Sequence, residues 1–344
     1  MSSPEPAFVI RAATPEHAAE LYRLATHLDS VNLPADAAAV DNLLRQSEAS
    51  FRGDIAEPAA RRYVFVLEES ESRRVVGTSS IVAQLGRPNA PYVYFSVSTE
   101  EKYSRDLKLH FEHAVLRLGF SYDGPTELAG LVVDPGYRLH PARLGLGISY
   151  ARFLYIAARR HLFQDELLAE LLPPLEPDGT SHLWDALGRR FTNMSYREAD
   201  RLSHENKDFI RDLFPTQTVY ACLLSEEAQR VIGEVGSSTK GVEKMLRRIG
   251  FRYDDRVDPF DGGPHFVADT AEVAPIQRHT ALPARVGVGG STLLLAAAFR
   301  DIPPYFTAVP VRARVLEDAI ELPERALQLL GAEHGEQVHA TPLP

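Results

Sequence analysis

A strand followed by a loop of glycines and arginines is the segment of this sequence with the clearest chemistry. The strand ends at Leu131, Val132 and Val133, and the residues of interest after it are Arg138, Arg143, Gly145 and Gly147. Glycines let a backbone approach a ligand closely, a helix N-terminus presents free N–H groups, and arginines add positive charge. The segment therefore predicts a cradle for a pyrophosphate. A plain strand–helix connection with solvated arginines is the alternative, because both the GxGxxG pattern and the P-loop lysine are missing.

Two aspartates close to a glycine turn could bind a cation. Asp258 and Asp261 lie beside and within the turn Phe260-Asp261-Gly262-Gly263-Pro264. A pair of carboxylates can hold a guanidinium group through parallel hydrogen bonds. Aspartates also cap turns by accepting hydrogen bonds from the backbone, so a purely structural role is the alternative.

The composition restricts the classes of protein to which this chain can belong. Of its 344 residues, 44% are hydrophobic and 24% are charged, as in a globular protein of about two domains. The net charge of −10 argues against general nucleic-acid binding. Cys222 is the single cysteine, so an internal disulfide is excluded and a cytoplasmic location is expected. No apolar stretch approaches the ~20 residues of a membrane span, and a secretory signal is not expected.

Strands and helices alternate along the chain around the phosphate-binding segment. Apolar spacing predicts a helix over 35–51 and a β-hairpin over 63–82. A strand over 127–133 leads into the glycine loop, and a helix over 148–162 follows the loop. A further strand is expected over 166–172.

Three other local patterns are also interpretable. His110 and His113 flank Glu112, and we assign them to a helix; a zinc site there would need a further ligand. A short amphipathic helix is expected to end at Gly188. The glycine-rich stretch 284–292 predicts a loop.

The order of these elements resembles the GNAT acyltransferase fold, in which two parallel strands separate and expose backbone groups to the pantetheine arm of an acyl-CoA. A closer resemblance, over nearly the whole chain, is to the arginine N-succinyltransferase family of bacterial arginine degradation. The segments that carry this resemblance are 63–70, 131–138, 184–191, 224–229, 231–233 and 260–264.

The resemblance implies transfer of a succinyl group from succinyl-CoA, a co-substrate and not a permanently bound cofactor, to the α-amine of L-arginine. Leu131 matches the acyl-CoA-binding leucine of the family. The phosphate-binding segment would then hold the coenzyme, and Asp258 and Asp261 would hold the basic amino acid. The expected partners are these two small molecules and further subunits, identical or paralogous, without nucleic acid, membrane or metal.

One departure from the family bears on catalysis. The family carries a histidine, assigned as proton donor, where this chain has Gly236. Glu234, Tyr103 and His265 are the candidates to replace it, because each could exchange a proton. A solvated carboxylate, a packed aromatic ring and a structural histidine are the alternatives. Another family segment survives only in part, at 32–34.

The expected fold class is α/β (α+β), with a GNAT-like mixed sheet, a second α/β part and a small C-terminal β-rich unit. The expected parts are an acyl-CoA-binding domain over 1–200, a segment over 201–283 that completes the active site, and the C-terminal unit over 284–344. Three functions stay open: an arginine N-succinyltransferase, a weakly active or inactive CoA-binding subunit, or an N-acyltransferase with another amine acceptor or acyl donor. Gly236 motivates the second function, and altered pocket segments motivate the third.

Overall fold

The chain forms two compact units whose segments alternate along the sequence. The computed structural model describes residues 7–28, 35–88, 90–176, 178–203 and 206–344, so the family segment at 32–34 lies outside the described residues. Within those ranges, the first unit takes its residues from Met1–Gln84, Leu128–Asp165 and Thr270–Pro344, and the second from Leu85–Glu127 and Glu166–Asp269. The sequence predicts consecutive parts instead, because local patterns do not show which distant strands pair.

Both units mix strands and helices, which confirms the expected α/β class. The strands of the described chain are β1 (Phe8–Ala12), β2 (Arg62–Glu69), β3 (Val75–Val82), β4 (Tyr92–Ser104), β5 (Leu109–Ser121), β6 (Thr126–Val133), β7 (Glu166–Glu170), β8 (Val219–Tyr220), β9 (Arg252–Val257), β10 (Pro264–Asp269), β11 (Thr280–Val286), β12 (Thr292–Phe299), β13 (Phe306–Val315), β14 (Ile320–Leu322) and β15 (Gln337–Pro342). The helices are α1 (Ala18–Leu28), α2 (Ala37–Arg52), α3 (Leu144–Ala158), α4 (Arg189–Thr192), α5 (Tyr196–Ser203), α6 (Asp208–Leu213), α7 (Glu226–Val231), α8 (Lys240–Arg248), α9 (Ala274–Gln277) and α10 (Glu324–Leu330).

In the first unit, the strands follow the order β12-β15-β11-β14-β13-β1-β2-β3-β6, and β12 also pairs with β13. Strands β11 to β15 therefore close into a five-stranded barrel, and α10 contributes apolar side chains to its core. This is the expected C-terminal β-rich unit. The loop expected over 284–292 is wrong for 284–286, because Ala284 pairs in parallel with Ile320 of β14.

In the second unit, the strands follow the order β7-β10-β9-β4-β5-β8. On the side away from β10, β7 pairs in parallel with the start of β6, with Thr126 opposite Leu167 and Glu127 opposite Leu168. A parallel pair at this place is what the resemblance implies. Among the described residues, no helix combines the length and apolarity that a membrane crossing needs.

The helix predicted for His110 and His113 is wrong. His110 lies on β5, opposite Tyr103, in a hairpin of two 13-residue strands. Glu101, His110 and Glu112 approach one another on the exposed surface of this hairpin. The sequence here is polar, and the spacing of its apolar residues does not distinguish a helix from a strand. Pairing with β4 makes it a strand.

Trp184 organises the core of the second unit. Its ring is fully buried and stacks on Phe260 with centroids 5.1 Å apart, and its Nε1 donates to the carbonyl of Met194 at 2.9 Å. Gly188 does not end the helix as expected. A π-helical turn over Trp184–Gly188 continues into α4. Position 188 requires glycine, because the Trp184 ring fills the space that a side chain would need.

Candidate active site

In the first unit, the predicted phosphate-binding segment, residues 131–147, joins β6 to α3. The carboxylate of Asp134 accepts a hydrogen bond from the N–H of Gly136 at 2.9 Å and so closes the first turn of the loop. Helix α3 begins at Leu144 and not at 148, because Arg143 adopts the left-handed conformation (φ 53°) and turns the chain into the helix. In the part of the chain that the structure describes, the N–H groups of Leu144 and Gly145 have no acceptor. They are therefore available to an anion at the positive end of the helix.

The two predicted arginines are exposed beside this helix terminus. Arg138 donates from Nε to the carbonyl of Val133 at 3.1 Å, and Arg143 donates to the carbonyl of Pro344 at 2.7 Å. A guanidinium group has five N–H donors, so each arginine keeps donors for a ligand. The structure thus brings both arginines to the expected place.

The remaining predicted residues of the segment line the same connection. Val132 is buried in the core of the first unit, whereas Leu131 and Val133 are half-buried. A Cβ atom at Gly145 or Gly147 would make only ordinary contacts, at 3.7 Å and 3.6 Å from the nearest side-chain atoms. Packing therefore does not require glycine at these two positions, and their missing side chains leave the helix terminus open.

In the second unit, three titratable side chains converge. Glu170, Asp258 and His265 each offer a polar atom, and these atoms lie within 4.8 Å of one another. Strand β7 carries Glu170 directly opposite His265 on β10, and Asp258 follows β9. We call these three residues the acid–histidine cluster.

Asp258 and Asp261 also cap the turn between β9 and β10. Oδ1 of Asp258 accepts the N–H groups of Phe260 at 2.6 Å and Asp261 at 3.2 Å. The carboxylate of Asp261 accepts the N–H of Gly263 at 2.8 Å and the hydroxyl of Tyr196 at 3.3 Å. The two oxygens of Asp261 are thus both used inside the protein, whereas Asp258 joins the acid–histidine cluster as well.

Burial perturbs the acids around this cluster. It raises the pKa of Asp200 and the pKa of Asp258 to about 6, against the opposing positive charge of Lys207. Burial and the charge of Asp258 raise the pKa of Asp261 well above its usual range. Sequence reasoning found the two aspartates of the glycine turn. It missed Glu170, Asp200 and Lys207, because they lie in other elements and belong to no local motif.

Of the three candidates for proton exchange, the structure brings only His265 into the cluster. Tyr103 is 66% exposed near the far end of β4. At roughly 3.3 Å per residue, the strand from Tyr92, which contacts His265, to Tyr103 is on the order of 35 Å long. Glu234 is exposed and is not part of the cluster.

The comparisons with known proteins identify the family. A family model described as the beta subunit of arginine N-succinyltransferase matches residues 8–275. The chain belongs to the arginine N-succinyltransferase family. The arginine N-succinyltransferase subunit beta of Pseudomonas aeruginosa is 34% identical over 319 residues, which are 89% of this chain and 90% of that protein. The arginine N-succinyltransferase of Citrobacter koseri is 34% identical over 273 residues, 78% of each chain.

A solved structure agrees over nearly the full length. The arginine/ornithine succinyltransferase subunit AI of Pseudomonas aeruginosa has a TM-score of 0.84 and 28% identity, and the match covers 98% of this chain and 99% of that chain. The resemblance inferred from the sequence motifs is therefore confirmed, and the fold is that of this relative.

In this member of the arginine N-succinyltransferase family, Gly236 is buried against backbone. Its N–H donates to the carbonyl of Leu172 at 2.8 Å. A Cβ atom at Gly236 would lie 2.6 Å from the carbonyl oxygen of Pro173. This backbone arrangement therefore leaves no room for a histidine side chain at position 236.

Proposed function

We propose that this chain transfers a succinyl group from succinyl-CoA to the α-amine of L-arginine. The observation that carries the proposal is the group of buried acids around Asp258 in a member of this family. Burial raises the pKa of Asp258 to about 6, so its carboxylate is mostly ionised at pH 7. A cationic amino acid would be a partner for this charge, since buried charges need partners.

The phosphate-binding segment is the proposed site for the coenzyme. Arg138, Arg143 and the free N–H groups of Leu144 and Gly145 present several donors to the pyrophosphate. The backbone of 131–133, including the half-buried Leu131, would lie along the pantetheine arm, as the family resemblance implies.

The decisive test is a matrix of donors and acceptors with release of the CoA thiol as the measurement. Succinyl-CoA and acetyl-CoA are each combined with L-arginine, L-ornithine and L-citrulline. Citrulline has the shape of arginine with a neutral end group, so we expect a kcat/KM at least about 100-fold lower than for arginine if buried acids bind the cation. Absence of acceptor-dependent thiol release with every pair would contradict the proposed function.

Arg138→Gln should raise the KM for succinyl-CoA by about 5- to 10-fold, because one exposed charge-assisted phosphate contact contributes about 1 kcal/mol. The kcat should stay unchanged, since the pyrophosphate of the coenzyme takes no part in bond making. The difference from wild type should shrink with added salt, which screens an exposed contact. Arg105→Gln, an exposed arginine at the hairpin tip, is the matched control. An unchanged KM would remove Arg138 from the coenzyme site.

A second candidate function is that of a weakly active CoA-binding subunit in a hetero-oligomer. Gly236 favours it, because the residue has no titratable group, and two relatives are named as subunits. Purification from the native host distinguishes the two functions. A homo-oligomer that turns over arginine at the rate of the native complex would exclude this candidate. A cytoplasmic location, with this chain joined to identical or paralogous subunits, stays a prediction.

A further inference from the structure

His265 is a buried neutral histidine. Its side chain has no exposed surface. Burial, with the positive charges of Arg256 and Lys207, lowers the pKa of His265 to about 3. The imidazole is therefore uncharged at neutral pH, and one of its nitrogens carries a hydrogen while the other is an acceptor.

Tyr92 determines which nitrogen of His265 carries the hydrogen. The Tyr92 hydroxyl lies 2.7 Å from Nδ1 of His265, and burial keeps this hydroxyl protonated by raising its pKa. The positive charge of Arg256 acts on the oxygen of Tyr92 and makes the hydroxyl a better hydrogen-bond donor. Tyr92 therefore donates its hydrogen to Nδ1, which is the acceptor nitrogen of the neutral ring. The hydrogen of His265 is then on Nε2.

Nε2 of His265 points toward Glu170. Within the described chain, this buried nitrogen has no hydrogen-bond partner at normal distance. Oε1 of Glu170 lies 3.5 Å away. A buried N–H donor without an acceptor is costly, so a feature of the site should explain it. A shift of the Glu170 carboxylate by a few tenths of an ångström would complete the bond.

Glu170 is the most exposed member of the acid–histidine cluster. About a third of its side chain is exposed (33%), whereas His265 is inaccessible. Burial raises the pKa of Glu170 well above its usual value, and the negative charges of Glu127, Asp258 and Asp261 act in the same direction. Lys207 opposes them. A carboxylate with a raised pKa is a stronger base than an ordinary glutamate.

We propose that Glu170 is the catalytic base that takes the proton from the acceptor ammonium, and that His265 and Tyr92 are residues that position its carboxylate. This assignment rests on the proposed function. It also gives the proton-exchange role to a cluster distant in sequence from Gly236, where the family histidine is missing.

The acceptor enters as a primary ammonium and loses two protons in the reaction. One N–H bond breaks, its proton goes to an oxygen of Glu170, and the freed electron pair on nitrogen forms the C–N bond with the thioester carbon. The nitrogen loses a second proton as the amide forms, and the C–S bond breaks with its electron pair on sulfur. One of the two protons completes the CoA thiol and the other goes to solvent.

Glu170→Gln tests the assignment in the purified full chain with succinyl-CoA and L-arginine. We expect kcat at saturating arginine to fall by about 100- to 10,000-fold, the usual contribution of a general base. In the variant, only the free amine can react, because no base takes a proton from the ammonium. The log of its kcat/KM should therefore rise with pH up to the pKa of the acceptor ammonium. The wild-type profile should level off at a lower pH. Glu227→Gln, an exposed glutamate on α7, is the matched control and should match wild type.

Tyr92→Phe tests the positioning residues. Without the Tyr92 hydroxyl, His265 can carry its hydrogen on Nδ1 and turn a lone pair toward Glu170. This favours the protonated carboxyl, so the pH at which kcat/KM levels off should move upward. Loss of packing alone would lower the activity without moving the profile.

The outcomes separate this assignment from the proposed function. Wild type that is inert with every acceptor overturns both. Wild type that turns over, with a Glu170→Gln variant retaining more than about a tenth of kcat, overturns only the assignment. Loss of wild-type activity in EDTA that zinc restores would also overturn it, because Glu170, Asp258 and His265 would then be ligands of a cation.

Discussion

Asp258→Asn should raise the KM for L-arginine by at least about 30-fold, since removing one partner of a buried ion pair costs about 2 kcal/mol or more. The substitution removes the charge and little else. The asparagine Oδ1 can still accept the N–H groups of Phe260 and Asp261, so the turn between β9 and β10 stays closed. Steady-state kinetics with varied arginine at saturating succinyl-CoA measure the effect.

The pH dependence gives an independent readout of the same residue. The pKa of Asp258 is about 6, and only the ionised carboxylate pairs with a cation, so wild-type kcat/KM for arginine should rise as the pH increases through about 6. Asparagine does not titrate, so this part of the rise should disappear, while Asp200, with a pKa of about 6, still contributes. If the variant had the KM and the pH profile of wild type, Asp258 would only cap the turn and would not bind the substrate.

Two controls separate binding from folding for Asp258→Asn. The folded-state pKa of Asp258 lies above the usual value of 3.8, so its ionised form opposes folding as the pH rises through about 6. The neutral asparagine avoids this cost, and the melting temperature at pH 7 should not fall. Asp212→Asn, an exposed aspartate on α6, should leave the KM for arginine unchanged.

Gly236→Ala should lower the free energy of unfolding by about 1–3 kcal/mol, because the added methyl group overlaps backbone that cannot move away freely. The Cβ atom would meet the carbonyl oxygens of Pro173 at 2.6 Å and Leu172 at 2.9 Å. Gly241→Ala is the matched control on α8, where no atom lies within 4 Å of the new Cβ. It should stabilise by about 0.5–1 kcal/mol through helix propensity alone. Urea unfolding of both variants checks the contrast.

Gly236→His should therefore destabilise the protein and leave its turnover no higher than that of wild type. A histidine at position 236 would require a different course of the backbone at 172–173, which a single substitution does not provide. An active and equally stable histidine variant would show that this backbone moves aside easily. It would then favour the interpretation that only the missing proton donor limits the natural protein.

The sequence by itself determined the family and the local structure of the segment proposed to bind phosphate. Strand, glycines, arginines and helix start are contiguous over 131–147, and their chemistry depends on hydrogen bonds and spacing within a few residues. The motif beginning at Phe260 likewise predicted a turn that Asp258 and Asp261 cap. Only the precise helix start needed the structure, since it depends on the left-handed conformation of Arg143.

Only the tertiary structure decided the acid–histidine cluster and the place of Gly236. Glu170 meets His265 because β7 pairs with β10 in one register out of many, and a shift by one residue would turn the side chains to opposite faces. Tyr103 and Glu234 have suitable chemistry, but the long β4 strand and an exposed position keep them away from the cluster. Pairing between distant strands depends on the packing of the whole unit, and no local pattern of residues records it.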